Sequence, residues 1–498
     1  IKGVCKRMLT DNGYYPDVYS GFDPILDKPR VDRLLGDVSV PVAGVTPFNV
    51  VMAAGDRVIH NRPDFRFGIS MSSSRIGKFE SLNNENTRGW YLGEGMTYIY
   101  NSTDRSQYVN YFNLVNMQRL PGTTVDVLAR SVLKTSNYGL FGIPVNAQDW
   151  TGGASLNGVY GVAGMHLVSE VGSLEGRKSW FMFDNEVVAL GAGISMTEER
   201  AAETVVENRN SLKSLYVDGV LKPSTKGWSE ALPNPRWISL EGTGGYYFPQ
   251  PSTVNAKRDY NGFTQLYFDH GTSPENEGYA YVLLPSSTRE ETEAYAARPE
   301  IEVVCNTDNI QAVRETGLRV MGINFWQAGQ VDDIVCDAPA AVMVREDRGM
   351  LYVSLADPTW KQTSVRLSLA GSYRMTGEDG RVRLEANGDR TDVVFDVTDR
   401  MGQCIEVSLA DNDYSGLDEG RDDGPVYVWE RGSATAIVRN MEPGGRVVVY
   451  DARGRLCRVA TAVPDELRMD FSGYEKGVYV IRYCRPDGRS YVWKFVNM

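Results

Sequence analysis

Between Asp56 and Arg88 the sequence places six basic residues (Arg57, Arg62, Arg66, Arg75, Lys78, Arg88) against four acidic ones (Asp56, Asp64, Glu80, Glu85), a net of +2. A negatively charged ligand could be met there. The same stretch carries the polar run Glu80-Ser-Leu-Asn-Asn-Glu-Asn86, rich in carboxylates and side-chain amides. Such groups can accept, donate and orient, yet a solvated loop has the same composition, because acidic residues favour the surface and Asn bonds its own backbone in turns. Arg75 could face an anion or lay its stem along a strand. Trp90, Tyr91, Trp180 and Phe181 offer ring faces to a sugar, although aromatics that alternate on strands also build cores.

Other chemistries have little material. The six cysteines (Cys5, Cys305, Cys336, Cys404, Cys457, Cys484) lack the C-x-x-C spacing of zinc sites, and three histidines leave little for a His-based metal or acid-base centre. His60, His166 and His270 read as structural, and no metal or cofactor is expected. Cys457 and Cys484 fall on neighbouring expected strands and could pair in an oxidising compartment. A net charge of -12 argues against a general nucleic-acid or polyanion binder, since phosphate-tracking surfaces need clustered Lys and Arg, and no nucleic-acid partner is expected. No run approaches about 18 apolar residues, so no membrane span is expected.

The elements that must position these residues are mostly strands. With 498 residues the chain has length for several domains, and its 50 Gly, 27 Tyr and 9 Trp favour turn-rich β structure. Residues 1–41 differ: Val4, Met8 and Leu9, then Ile25, Val31, Leu34 and Leu35, are spaced as short helices around the turn-prone Asp11-Asn-Gly13. Without an initiator Met, residue 1 is expected to be internal to a longer product. Residues 42–298 carry short apolar runs such as Trp180-Phe-Met-Phe183, punctuated by Gly, Asn and Asp, and predict one large antiparallel unit. A charged stretch, Arg289 to Arg298, is helical at most. Residues 299–410 alternate strictly, as in Leu351-Tyr-Val-Ser-Leu355 and Ile405-Glu-Val-Ser-Leu409, and predict a smaller sandwich. Residues 411–424 are acidic and Gly-containing. They read as a linker rather than a calcium loop, since the Glu at loop position 12 of an EF-hand is missing. Residues 425–498 predict an immunoglobulin-like sandwich, with Pro486-Asp-Gly488 as a hairpin turn.

Several ordered blocks carry a family resemblance: Asp64-Phe-Arg-Phe-Gly-Ile-Ser-Met-Ser-Ser-Ser-Arg75, Phe79-Glu-Ser-Leu-Asn-Asn-Glu-Asn86, Gly89-Trp-Tyr-Leu-Gly-Glu-Gly-Met-Thr-Tyr-Ile-Tyr-Asn101 and Leu120-Pro-Gly-Thr-Thr124. Lys178-Ser-Trp-Phe-Met-Phe-Asp184, Val188-Ala-Leu-Gly-Ala-Gly-Ile194, Thr204-Val-Val-Glu-Asn-Arg209 and Tyr279-Ala-Tyr-Val-Leu-Leu-Pro285 continue the series. Over residues 1–410 the chain resembles polysaccharide lyase family 8, the hyaluronate, chondroitin AC and xanthan lyases. The resemblance implies a mainly β fold: a large super-sandwich and a smaller β-sandwich, behind a short helical remnant of an α/α toroid. The last module resembles the sorting or accessory domains of secreted Bacteroidetes proteins, which implies a secreted, extracellular or periplasmic bacterial protein.

In that family the toroid supplies an Asn, a His, a Tyr and an Arg, and the β domain a Glu three residues before an Asn. Here that pair is Glu80 and Asn83, the expected catalytic residues, while Arg75, Asn86 and Trp90 are expected to bind substrate. The toroid residues have no counterpart in this chain. The resemblance implies β-elimination on a uronic-acid glycoside, in which the carboxylate is neutralised so that a Tyr phenolate can remove the C5 proton. Glu80 would hold the toroid Arg in place. The expected partners are an anionic polysaccharide (hyaluronan, chondroitin sulfate or xanthan) and the absent toroid, with the protein a monomer. The competing reading is a non-catalytic glycan-binding or adhesive sandwich protein. Because an acidic, Gly-containing segment buries no core, limited proteolysis should cut within 411–424 before any flanking module, as judged by mass spectrometry of early fragments.

Overall fold

Alternating apolar residues and turn residues at short intervals build sheets here: about half the chain is strand. The computed structural model describes all residues except 11–24, 82, 84, 102–103, 105, 134–142, 348, 378, 413–425, 431–433, 440, 453–454, 464–465, 485–489 and 498. The turn at 11–13, the linker from 413 onward and the turn at 486–488 lie outside the described residues. The chain divides into two compact units, Ile1–Asp413 and Tyr414–Met498.

Among the described residues the first unit begins with two helices, Lys2–Thr10 and Lys28–Gly36, that touch each other. A four-stranded antiparallel sheet follows: Phe48–Met52, Arg57–Asn61, Phe65–Ser70 and Met96–Asn101, paired in chain order. A five-stranded sheet and a nine-stranded sheet come next. The nine-stranded sheet runs, in spatial order, Val220–Leu221, Leu215–Val217, Trp237–Leu240, Gly244–Tyr247, Glu277–Pro285, Val187–Ser195, Glu175–Met182, Tyr160–Val168 and Thr151–Leu156. Sheets of seven and five strands complete the unit, the former opening with Ile301–Asn306.

Four core clusters lie within this unit, and three of them bind the large sheets together. One joins Val58, Phe65, Phe67 and Ile69 of the four-stranded sheet to Trp180, Ala189 and Leu283 of the nine-stranded sheet and Val206 and Leu266 of the five-stranded one. Phe181, Val188, Leu190 and Val282, on the opposite face of the nine-stranded sheet, pack with Val313, Val320, Ala341 and Met343 of the seven-stranded sheet. The third fills the space between the seven- and five-stranded sheets through Ile323, Val353, Val365 and Phe395. Central strands of the nine-stranded sheet are thus buried on both faces, which is why Val187–Ser195 reads as a nearly continuous apolar run. Close approach fixes Gly164 and Gly322: a Cβ at the first would meet the Trp150 ring at 2.7 Å, and at the second the Phe181 ring at 2.8 Å. The charged stretch after the nine-stranded sheet is the helix Arg289–Ala297, started by a capping box in which Thr288 and Glu291 satisfy each other's backbone N–H.

The second unit has its own core around Val447, Val449, Ile481 and Phe471. Its sheets have three and four strands among the described residues. The expectation that Cys457 and Cys484 could pair is corrected: both are free thiols. Their strands, Leu456–Thr461 and Gly477–Cys484, flank Arg446–Asp451 on opposite sides, and Cys484 sits opposite Arg446 whereas Cys457 lies near Tyr450 at the other end. Two strand spacings already exceed the reach of a disulfide.

Among the described residues, Glu186, Glu300 and Glu315 form a group whose carboxylate oxygens all lie within 4.8 Å. Burial, then mutual repulsion, pushes Glu186 up to about 7, and burial with Glu300 nearby pushes Glu315 up to about 7. The folded state therefore holds protons that an unfolded Glu releases near 4.5, so this cluster's stabilising contribution is full below about 4.5 and is lost as pH rises to about 7. Glu186→Gln should accordingly shrink the loss of melting temperature between about pH 5 and pH 7.5, read by circular dichroism.

Candidate active site

The four-stranded sheet turns one face inward and leaves the other partly open. Register sets Val50, Ile59, Gly68 and Tyr98 in one cross-strand row on the open face. Arg57, Ile59, Gly68, Tyr98, Tyr100 and Glu80 line a depression of about 480 Å³ over this face. Burial raises the Tyr98 and Tyr100 phenols, which favours the neutral O–H form of both.

Glu80 reaches the rim because the segment before it is pinned. Lys78 is buried and donates from Nζ to Glu94 Oε1 at 2.8 Å and to the Val168 carbonyl at 2.8 Å. The Lys78 backbone N–H bonds the Pro144 carbonyl at 2.8 Å, and Phe79 packs in a core with Trp90, Tyr91 and Met96. Gly93 permits this approach, since a Cβ there would lie 2.2 Å from the Lys78 carbonyl. Lys178, wholly buried nearby, is lowered by burial to about 7. The Glu80 side chain then emerges into solvent.

Asn83 and Asn86 are exposed on the following loop and adopt left-handed backbone, φ 52° and 49°. Asn tolerates this region better than other non-glycine residues, so both positions have a backbone reason for their residue type. Asn86 also donates from Nδ2 to the Glu80 carbonyl at 2.6 Å, closing the loop on itself. Gly89 leaves room for it, because a Cβ there would meet Asn86 Nδ2 at 2.5 Å.

Two of the residues expected to bind substrate line neither the open face nor its rim. Arg75 turns its charge into the fold. Its guanidinium donates to the carbonyls of Asp149 (2.7 Å), Thr151 (3.0 Å) and Pro358 (3.3 Å), faces Asp56 and stacks over Trp360 at 4.5 Å. Trp90 is 5% exposed within the Phe79 core, and a ring with neither face open cannot carry a sugar. Tyr91, Trp180 and Phe181 are buried as well. Tyr98 and Tyr100 also line the depression; their signal in the sequence is an i, i+2 pair of tyrosines on one strand face, which marks an apolar face left uncovered. The three histidines are held neutral: burial lowers His60 and His166 to about 3 and His270 to about 4.

The geometry is thus an antiparallel super-sandwich stacked on a second β-sandwich, with a Glu-x-x-Asn loop at the rim of an open sheet face. The sequence model for polysaccharide lyase family 8, super-sandwich domain, matches residues 47–296, and that for the C-terminal beta-sandwich domain of the same family matches 302–366. The chain belongs to polysaccharide lyase family 8. It is 33% identical to a xanthan lyase of Bacillus sp. (strain GL1) over 479 residues, 88% of this chain and 50% of that protein. With a hyaluronate lyase of Thermasporomyces composti it shares 32% identity over 414 residues, 78% of this chain and 51% of the relative. The structure of Paenibacillus xanthan lyase superposes with a TM-score of 0.74 at 28% identity, covering 100% of this chain and 55% of that one. The chain thus spans about half the length of the curated relatives it matches. No helix among the described residues is long and apolar enough to cross a membrane.

Removing Lys78 would strand the Glu94 carboxylate in a dry site. Lys78→Met should lower stability by about 3–5 kcal/mol in urea unfolding, and Glu94→Leu added to it should recover much of the loss.

Proposed function

We propose that this chain is the β side of the cleft of a secreted bacterial lyase that cleaves a uronic-acid-containing glycosaminoglycan, hyaluronan or chondroitin, by β-elimination. The observation that carries this reading is Glu80, held at the rim of the open face by the Lys78–Glu94 pair and followed by Asn83. In the complete protein a helical toroid ahead of Ile1 would supply the Asn, His, Tyr and Arg. The Tyr takes the C5 proton of the uronate and returns one to the departing O4 oxygen, while the amide and cationic groups neutralise the carboxylate. Glu80 accepts hydrogen bonds from the toroid Arg and fixes its fork, and Asn83 offers an amide to the same network. A polymer of this size is met outside the cytoplasm, which supports secretion.

Because the proton-transfer groups come from the toroid, the 498-residue chain alone should release no unsaturated uronate, read as ultraviolet absorbance. In the complete protein Glu80→Gln keeps shape and removes charge. Turnover should fall about ten- to hundredfold, the loss of one charge-assisted pair of about 1.5–3 kcal/mol, with a smaller change in binding. Product from the chain alone would overturn the divided site, and unchanged turnover in the variant would make Glu80 an ordinary loop carboxylate.

A further inference from the structure

Five of the six basic side chains between Asp56 and Arg88 are tied into the fold. Arg57 donates to the carbonyls of Gly55, Asp56 and Met71. Arg62 faces Asp184 and bonds the Val159 and Phe183 carbonyls, while Arg66 reaches the carbonyls of Arg62 and Phe65. Arg75 is tied to three carbonyls and Asp56, and Lys78 to Glu94, as described. Arg88 differs. Among the described residues it makes a single hydrogen bond, from Nη2 to the Phe112 carbonyl at 3.3 Å, and pairs with no carboxylate.

Arg88 is half-buried and lines a second depression, about 580 Å³, with Asn86, Leu92, Tyr98, Phe112 and Asn113. Leu92 and Tyr98 also line the depression that Glu80 borders, so the two meet along those side chains. Phe112 is 37% exposed and is fixed edge-on against Tyr111 at 5.2 Å, whose hydroxyl donates to the Asn208 carbonyl at 2.8 Å. The second depression therefore combines a cation with spare N–H donors and a ring held in place.

We propose that Arg88 and Phe112 form a further sugar subsite, in which the guanidinium binds an anionic group of the polysaccharide and the Phe112 ring receives an apolar sugar face. A guanidinium matches carboxylate and sulfate oxygens bidentately, and a ring already immobilised loses little freedom on binding. The subsite rests on the reading that the Glu80 depression takes a uronate polymer. It adds recognition at a second sugar, away from the bond that breaks.

The test is titration of the 498-residue chain with hyaluronan and chondroitin sulfate oligosaccharides, followed by nuclear magnetic resonance at two salt concentrations. Arg88→Ala should weaken binding about five- to thirtyfold and flatten its salt dependence, with Arg88→Lys intermediate. Phe112→Ala should weaken binding while leaving the salt dependence in place. A loss with both polymers assigns the anion as the uronate carboxylate, and a loss confined to the sulfated chain assigns it as the sulfate. Wild-type-like binding by a folded Arg88→Ala variant overturns the subsite and leaves the proposed function standing. Failure of the wild-type chain to bind either oligosaccharide overturns the subsite; if the complete protein also releases no unsaturated product, the proposed function falls with it.

Discussion

A sheet with apolar side chains on both faces must be covered twice, and the nine-stranded sheet of the first unit is in that position. Its covers are the four- and five-stranded sheets on one side and the seven-stranded sheet on the other. Polar side chains caught between layers must then be paired. Asn324 donates to the Ala163 carbonyl at 2.9 Å and to Ser179 Oγ at 2.8 Å, Ser179 donates to Gln311, and Trp150 Nε1 reaches the Phe325 carbonyl at 3.1 Å. These bonds cross from one layer to the next and fix the position of each sheet as well as its spacing.

The candidate site inherits that rigidity. The four-stranded sheet cannot slide, because its inner face is part of the same core, and the Glu80 segment is nailed to it through Lys78, Glu94 and the Val168 carbonyl on the nine-stranded sheet. A carboxylate meant to orient a partner across a cleft must not wander, and here its freedom is confined to the side chain beyond Phe79. The loop that follows is shaped by two asparagines in left-handed backbone and by the Asn86 bond to the Glu80 carbonyl.

Much of this was legible in the sequence and part was not, for physical reasons. Alternation announced the strands, and the ordered blocks around Glu80 announced the family. The surroundings of Trp90 and Arg75 are not legible there, because residue type states what a side chain can do and not what surrounds it: an aromatic on a rim and an aromatic in a core have the same neighbours in sequence. Tyr98 and Tyr100 were overlooked because which face of a strand is left uncovered depends on partners far along the chain. The local charge of +2 likewise counted cations that the fold uses for its own carbonyls.

Arg75 carries a consequence for modularity. It belongs to the segment leading to Glu80, yet its guanidinium is held by Pro358 and Trp360 on a loop that Asp357 braces through the N–H groups of Thr359, Lys361 and Gln362. Trp360 itself sits in left-handed backbone at φ 60°, a conformation that a bulky residue adopts only under such bracing. Two stretches nearly three hundred positions apart are thus joined in one contact. Exchange of the smaller sandwich, as if it were a cassette, would leave the half-buried Arg75 guanidinium facing a foreign loop.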